Sequence, residues 1–274
     1  MINRTEQISI YKLTIPEVEK PMPVSFDVDR DIPKKNQDEL LHLVDEWRES
    51  KNYIKFPQVY LQASILFGDK LPKLHEWEVD KIIEELDSSA QSLDRASAQS
   101  KKWLDYPELA LAIKILFPQR LSEIPNFDKT VVIDACNWKR KNQRILTLAK
   151  SAVAAKILFD EETLTQKEIN ELKNFEGDDP MPNWVARTRA LVSLKMLRIN
   201  DYRLETNEWH HVRTVLSGKS YTLKPLDYLV LASNMRILAA GDVVIDENGI
   251  HLTAATSPAK ELQAIPEIPQ KRNF

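Results

Sequence analysis

A four-residue motif recurs about every forty residues along this chain. It reads Ser64-Ile65-Leu66-Phe67, Lys114-Ile115-Leu116-Phe117, Lys156-Ile157-Leu158-Phe159, Lys195-Met196-Leu197-Arg198 and Arg236-Ile237-Leu238-Ala239. The central leucines are spaced by 50, 42, 39 and 41 residues. Each copy closes an apolar, alanine-containing segment, at 59–67, 109–117, 148–159, 190–197 and 229–240. Self-similarity at a fixed period of this length marks a stacked array of helical units, none of which buries its apolar face alone. Such an array is built to display surface and usually carries no reaction centre of its own.

Each unit reads as a helix ending at the motif, a stop, and a second helix. Gly68, Pro118, Asn200-Asp201 and Gly241 supply stops. The second helices are expected at 76–86, 128–137, 165–175 and 206–216. Thr165 with Glu168 fits a capping box, and Asp128 and Thr206 fit single caps. Residues 36–50 form a preceding amphipathic helix, with Leu40, Leu41, Val44 and Trp47 on one face. The first spacing is longest because residues 88–100, rich in Ser, Ala and Gln, form an insertion.

The ends depart from the pattern. Four prolines, Pro16, Pro21, Pro23 and Pro33, make residues 1–34 an extended arm. At the other end, residues 243–252 read as two short strands around Asn248-Gly249, a β-hairpin capping the last unit. Residues 253–274 form a Pro-containing tail, whose Ile265-Pro266-Glu267-Ile268 echoes Ile15-Pro16-Glu17-Val18. The expected fold is therefore all-α: a helical-repeat solenoid of about five helix pairs over 35–252, ending in that hairpin.

The five motifs and the terminal hairpin resemble helical-repeat proteins of the HEAT-like kind. More narrowly, they are similar to KILF-type repeat proteins of candidate-phyla bacteria. The resemblance covers residues 53–252 and implies architecture; it brings no activity with it.

Composition narrows the function classes. Five glycines among 274 residues disfavour glycine-loop nucleotide folds, and a net charge of −3 provides no global field to recruit nucleic acid. The single cysteine, Cys136, excludes an internal disulfide framework and fits a reducing compartment. The start lacks a signal-peptide core and no run approaches eighteen apolar residues, so a cytoplasmic, membrane-free protein is expected. No HExxH, CxxC or G-x-S-x-G pattern occurs, and Ser217-Gly218-Lys219-Ser220 is too short for a phosphate loop. His210 and His211 are adjacent on a helix and point about 100° apart, which suits no shared metal. Catalytic, metal and cofactor residues are thus not expected.

Two basic sets remain as partner-binding candidates. Lys114, Lys156, Lys195 and Arg236 recur two places before the motif leucine, so stacking aligns them into a ladder. Each also lies in a helix's last turn, where a cation favours the negative dipole end. The second set is Lys139, Arg140, Lys141 and Arg144 beside Trp138, a mixture that suits nucleic acid or a solvated loop. Exposed tryptophans among Trp103, Trp138, Trp184 and Trp209 would be anchors. The expected function is a non-catalytic scaffold or adaptor for a protein partner. The alternative is a ribosome- or RNA-associated factor using the ladder and the 138–144 cluster.

Overall fold

A computed structural model describes residues 25–92, 101–124, 126–175, 184–199, 204–218, 223–246 and 248–253. Its helices are α1 (Val28–Asp31), α2 (Lys34–Glu49), α3 (Phe56–Phe67), α4 (Glu76–Gln91), α5 (Tyr106–Leu116), α6 (Lys129–Lys141), α7 (Ile145–Phe159), α8 (Gln166–Lys173), α9 (Trp184–Met196), α10 (Thr206–Leu216) and α11 (Pro225–Ala239). A hairpin of β1 (Val243–Asp246) and β2 (Gly249–Leu252) follows. The chain is all-α with a small hairpin, as its periodicity implies.

Local chemistry sets the helix ends. Proline stands in the first turn of α3, α5 and α11, where its missing N–H costs nothing. The Asp128 carboxylate accepts from the Thr130 and Val131 amides at 2.8 and 3.3 Å, and Thr165 and Glu168 form the expected reciprocal box. At α10 the cap is Glu205, one residue before the expected Thr206: the Glu208 carboxylate takes the Glu205 amide at 2.7 Å. Gly68 and Asp160 end α3 and α7 with φ of 51° and 55°.

The helices bearing the motif pack as a ring. α3 lies on α5, α5 on α7, α7 on α9 and α9 on α11; α11 then returns onto α3. Five more stand outside: α2 against α3 and α11, α4 against α5, α6 against α5 and α7, α8 against α7 and α9, and α10 against α11. Five helix pairs are present, but the array closes on itself, which corrects the open curve implied by a solenoid. A sequence period defines the unit and leaves the rotation between units unspecified.

Closure explains the composition of the inner helices. Each meets two ring neighbours, an outer helix and the lumen, so it is apolar around its circumference. Close approach needs small side chains. Ala63, Ala110, Ala149, Ala152, Ala190 and Ala232 are all 0% exposed.

The seam between last and first units is tied by residues 25–34. These belong to the expected extended arm, yet α1 is helical and Phe26, Val28 and Ile32 are buried. Alternating apolar side chains dock there against the ring, and the prolines only punctuate the segment. Arg213 of α10 donates to the Ser25 carbonyl and lies 3.7 Å from the Asp31 carboxylate. Gln37 donates to the Ile32 carbonyl at 2.9 Å from a buried position. Residues 1–24, the 177–182 break, the tail with its proline echo, and most of the 88–100 insertion lie outside the described residues. The start of that insertion, to Gln91, continues α4.

The hairpin forms at 243–252, with Val243 opposite Leu252 and Asp246 opposite Gly249. Its loop is therefore centred one residue earlier than an Asn248-Gly249 turn. Gly249 is required twice over: its φ is 108°, and a Cβ there would sit 3.1 Å from the Ile115 carbonyl of α5. That approach seats the hairpin on the ring. No described helix is long and apolar enough to cross a membrane.

Candidate functional site

The five inner helices run parallel around a lumen. At their N-terminal ends Lys55 pairs with Asp105, joining the starts of α3 and α5. At their C-terminal ends Lys114 donates to the Ile157 carbonyl at 3.2 Å, and Lys195 to the Leu238 carbonyl at 3.4 Å and to Ala240. Each of these lysines thus reaches the last turn of the next inner helix, where unsatisfied carbonyls concentrate negative partial charge.

The lumen holds a cavity of about 150 Å³, open to solvent and lined by all five inner helices and Ile250 of the hairpin. Because the helices share a register, its wall is layered. One residue before four of the five motif leucines stand Ile65, Ile115, Met196 and Ile237. Five before stand Leu61, Leu111, Val153, Val192 and Ser233. Four before, Gln62, Ser193 and Asn234 add polar groups. Eight before stand Gln58, Glu108, Lys150 and Arg189. From the last layer to the first the helix rises roughly 10 Å. One end of the cavity is aliphatic and covered by the hairpin; the other is polar.

The polar layer is unevenly neutralised. Glu108 is engaged by Lys139, whose ammonium reaches across from α6 to both carboxylate oxygens at 3.0 and 3.3 Å and to Ser151 at 2.6 Å. Lys139 is only 5% exposed, so this pair is internal. Lys150 and Arg189 have no such partner: among the described residues neither side chain makes an ion pair or a hydrogen bond. Burial, then the nearby Arg189 cation, pushes the Lys150 ammonium down to about 8, against a smaller opposing effect from Glu108. Burial likewise lowers Arg189, with Asp227 opposing. Arg189 and Gln62 both line the cavity, and among the described residues Arg189 Nε and Gln62 Oε1 are buried without a hydrogen-bond partner. Orphaned buried polar atoms are uncommon in folded proteins. The lumen therefore offers two uncompensated cations at one end of an apolar chamber.

The residues expected to bind a partner lie elsewhere. Of the ladder, Lys114 and Lys195 bridge inner helices as above. Lys156 pairs with Asp160 at 2.7 Å and Glu162 at 3.4 Å, and Arg236 has a buried, unpartnered Nε. The 138–144 cluster divides. Lys139 points inward to Glu108; Arg140 binds Glu168 at 2.7 Å and ties α6 to α8. Outside, Trp138 meets Trp103 edge-on at 6.5 Å, with Lys101 and Arg144 over its ring at 5.0 and 5.3 Å. Lys141 is exposed beside them. Trp209 is buried at 7%, and Trp184 is half-buried and stacks on the exposed His211 at 6.0 Å. Burial pushes the Cys136 thiol up to about 11, keeping it un-ionised. No cluster of metal-ligating side chains occurs among the described residues.

Sequence reasoning missed Lys150 and Arg189, although the signal is present. Aligning the units on their motif leucines places Gln58, Glu108, Lys150 and Arg189 in one column of otherwise apolar segments. No family model, curated protein or solved structure matches this chain.

Proposed function

We propose that this is a non-catalytic binding protein whose ligand is a small molecule held in the ring's lumen. The observation that carries this reading is a solvent-open chamber, built by all five units, in which two cationic side chains lack partners among the described residues. Convergent polar groups in an apolar pocket are the usual form of a small-molecule site. Ring closure removes the open concave face on which a scaffold would hold a macromolecule, and moves the recessed surface inside. The test is a thermal-shift screen of the full chain with phenylacetate, phenylacetamide and benzylamine, repeated on the plugged variant Val153→Trp. At least one compound should raise the melting temperature of the native chain and none that of the variant. Equal shifts in both would place the ligand outside the lumen.

A second reading rests on the Trp103–Trp138 pair with Lys101 and Arg144 over Trp138. A half-buried aromatic pair flanked by basic side chains can stack bases of single-stranded RNA. RNA affinity falling steeply between low and moderate salt, and lost in Trp138→Ala, would support it. Affinity flat with salt would exclude it.

A further inference from the structure

The layering of the cavity wall also indicates what kind of molecule fits. At the polar end a ligand meets Lys150 and Arg189, both positive and both unpaired among the described residues, while the lone carboxylate in that layer, Glu108, is already held by Lys139 at 3.0 Å. An incoming anion would therefore face two cations and one neutralised acid. Further in, Leu61, Leu111, Val153 and Val192 form an aliphatic girdle, and Ile250 covers the far end. A hydrated inorganic ion gains nothing from that girdle, and a purely apolar molecule leaves both cations desolvated without a counter-charge. A cavity of about 150 Å³ holds a body of roughly benzene size. The orphaned Arg189 Nε is a directed donor, and a guanidinium presents paired donors that match the two oxygens of a carboxylate.

Building on the lumen-binding reading, we propose that the ligand class is a small apolar monocarboxylic acid. Its carboxylate lies between Lys150 and Arg189, and its ring or short branched chain lies against the Leu61, Leu111, Val153 and Val192 girdle. Gln62, whose Oε1 lacks a partner, stands beside the body of the ligand and accepts a hydrogen bond from any polar substituent there. The −3 charge of the whole chain does not oppose this, because the selection is made by a local field inside the ring.

The experiment is calorimetric titration of the full-length protein at pH 7 with three probes. They are phenylacetate, its neutral isostere phenylacetamide, and inorganic phosphate. Phenylacetate should bind saturably, phenylacetamide at least tenfold more weakly, and phosphate not measurably. Lys150→Met and Arg189→Gln should each weaken phenylacetate roughly 10- to 100-fold, the effect of removing one hydrogen bond to a charged group. Circular dichroism establishes that each variant is folded, and Val153→Trp gives an independent loss through the girdle. If phenylacetamide binds as tightly as phenylacetate, the cations do not select the ligand; the proposal fails while the lumen remains the seat. If phosphate binds as tightly, the apolar girdle is irrelevant and the proposal fails. If none of the three binds, the proposal and the lumen reading fall together.

Discussion

The two ends of the ring are built by opposite rules. At the C-terminal end the units repeat: in four of the five a basic residue, then an isoleucine or methionine and a leucine, with Lys114 and Lys195 tying α5 to α7 and α9 to α11 and a hairpin over the opening. At the N-terminal end, two turns earlier on the same helices, the units differ: Gln58, Glu108, Lys150 and Arg189 occupy one equivalent position. Where side chains repeat they serve a need every unit shares, which is closing the helices against one another. Where they diverge within a shared register, that need is absent and another one is served. Repetition encodes the ring, and its interruption marks the site.

The largest test of this contrast is Lys139→Met. It strands Glu108 in the interior, and removing one partner of a buried pair costs about 3–5 kcal/mol. Denaturant unfolding measures the loss. Retained stability would show that the pair is solvated.

Leu194→Ala breaks the shared packing instead. Leu194 is 0% exposed, whereas the motif leucine Leu158 is only partly buried, so the true core position lies three residues before the motif leucine. A cost of about 2–5 kcal/mol is expected by denaturant melt, with ligand affinity per folded molecule unchanged. Lys195→Met removes the ammonium from the Leu238 and Ala240 carbonyls, and should cost about 1–2 kcal/mol without touching the cavity's charge.

Lys150→Met should change stability with the opposite sign. The folded Lys150 titrates near 8 because of burial and the Arg189 charge, below the ~10.4 of a free lysine. Glu108, Lys55 and Lys139 also act on it, and their combined effect is included in that value. Below pH 8 both states hold the proton, and the folded chain carries a disfavoured charge. Between about 8 and 10.4 the folded chain releases a proton that the unfolded chain keeps, so raising the pH favours folding through that window. The variant should melt higher than the native chain at pH 7, with the advantage shrinking as pH rises. A constant difference would mean that Lys150 is not perturbed.

Much of the architecture was legible in the sequence because it depends on local spacing. The motif gave five units, Asp128 and Thr165 gave helix starts, and the 243–252 segment gave the hairpin, since caps and turns are chosen by a few adjacent residues. Closure was not legible. It depends on a small rotation per unit accumulated over five units, and on Phe26, Val28 and Ile32 filling the seam. The candidate site was hidden for a related reason. Lys150 and Arg189 lie far apart in sequence and look like ordinary surface cations until the ring turns one column of residues inward. Lys139 misled in the other direction: within a basic run it reads as surface, and the fold buries it against Glu108.

Closure is tested most directly by native-state hydrogen exchange on the inner helices. In a closed ring α3 and α11 cover one another, so their central amides should exchange as slowly as those of α7, by global unfolding alone. An open array has two ends that fray. Exchange that is fastest in α3 and α11 and slows toward α7 would contradict the ring, and with it the lumen.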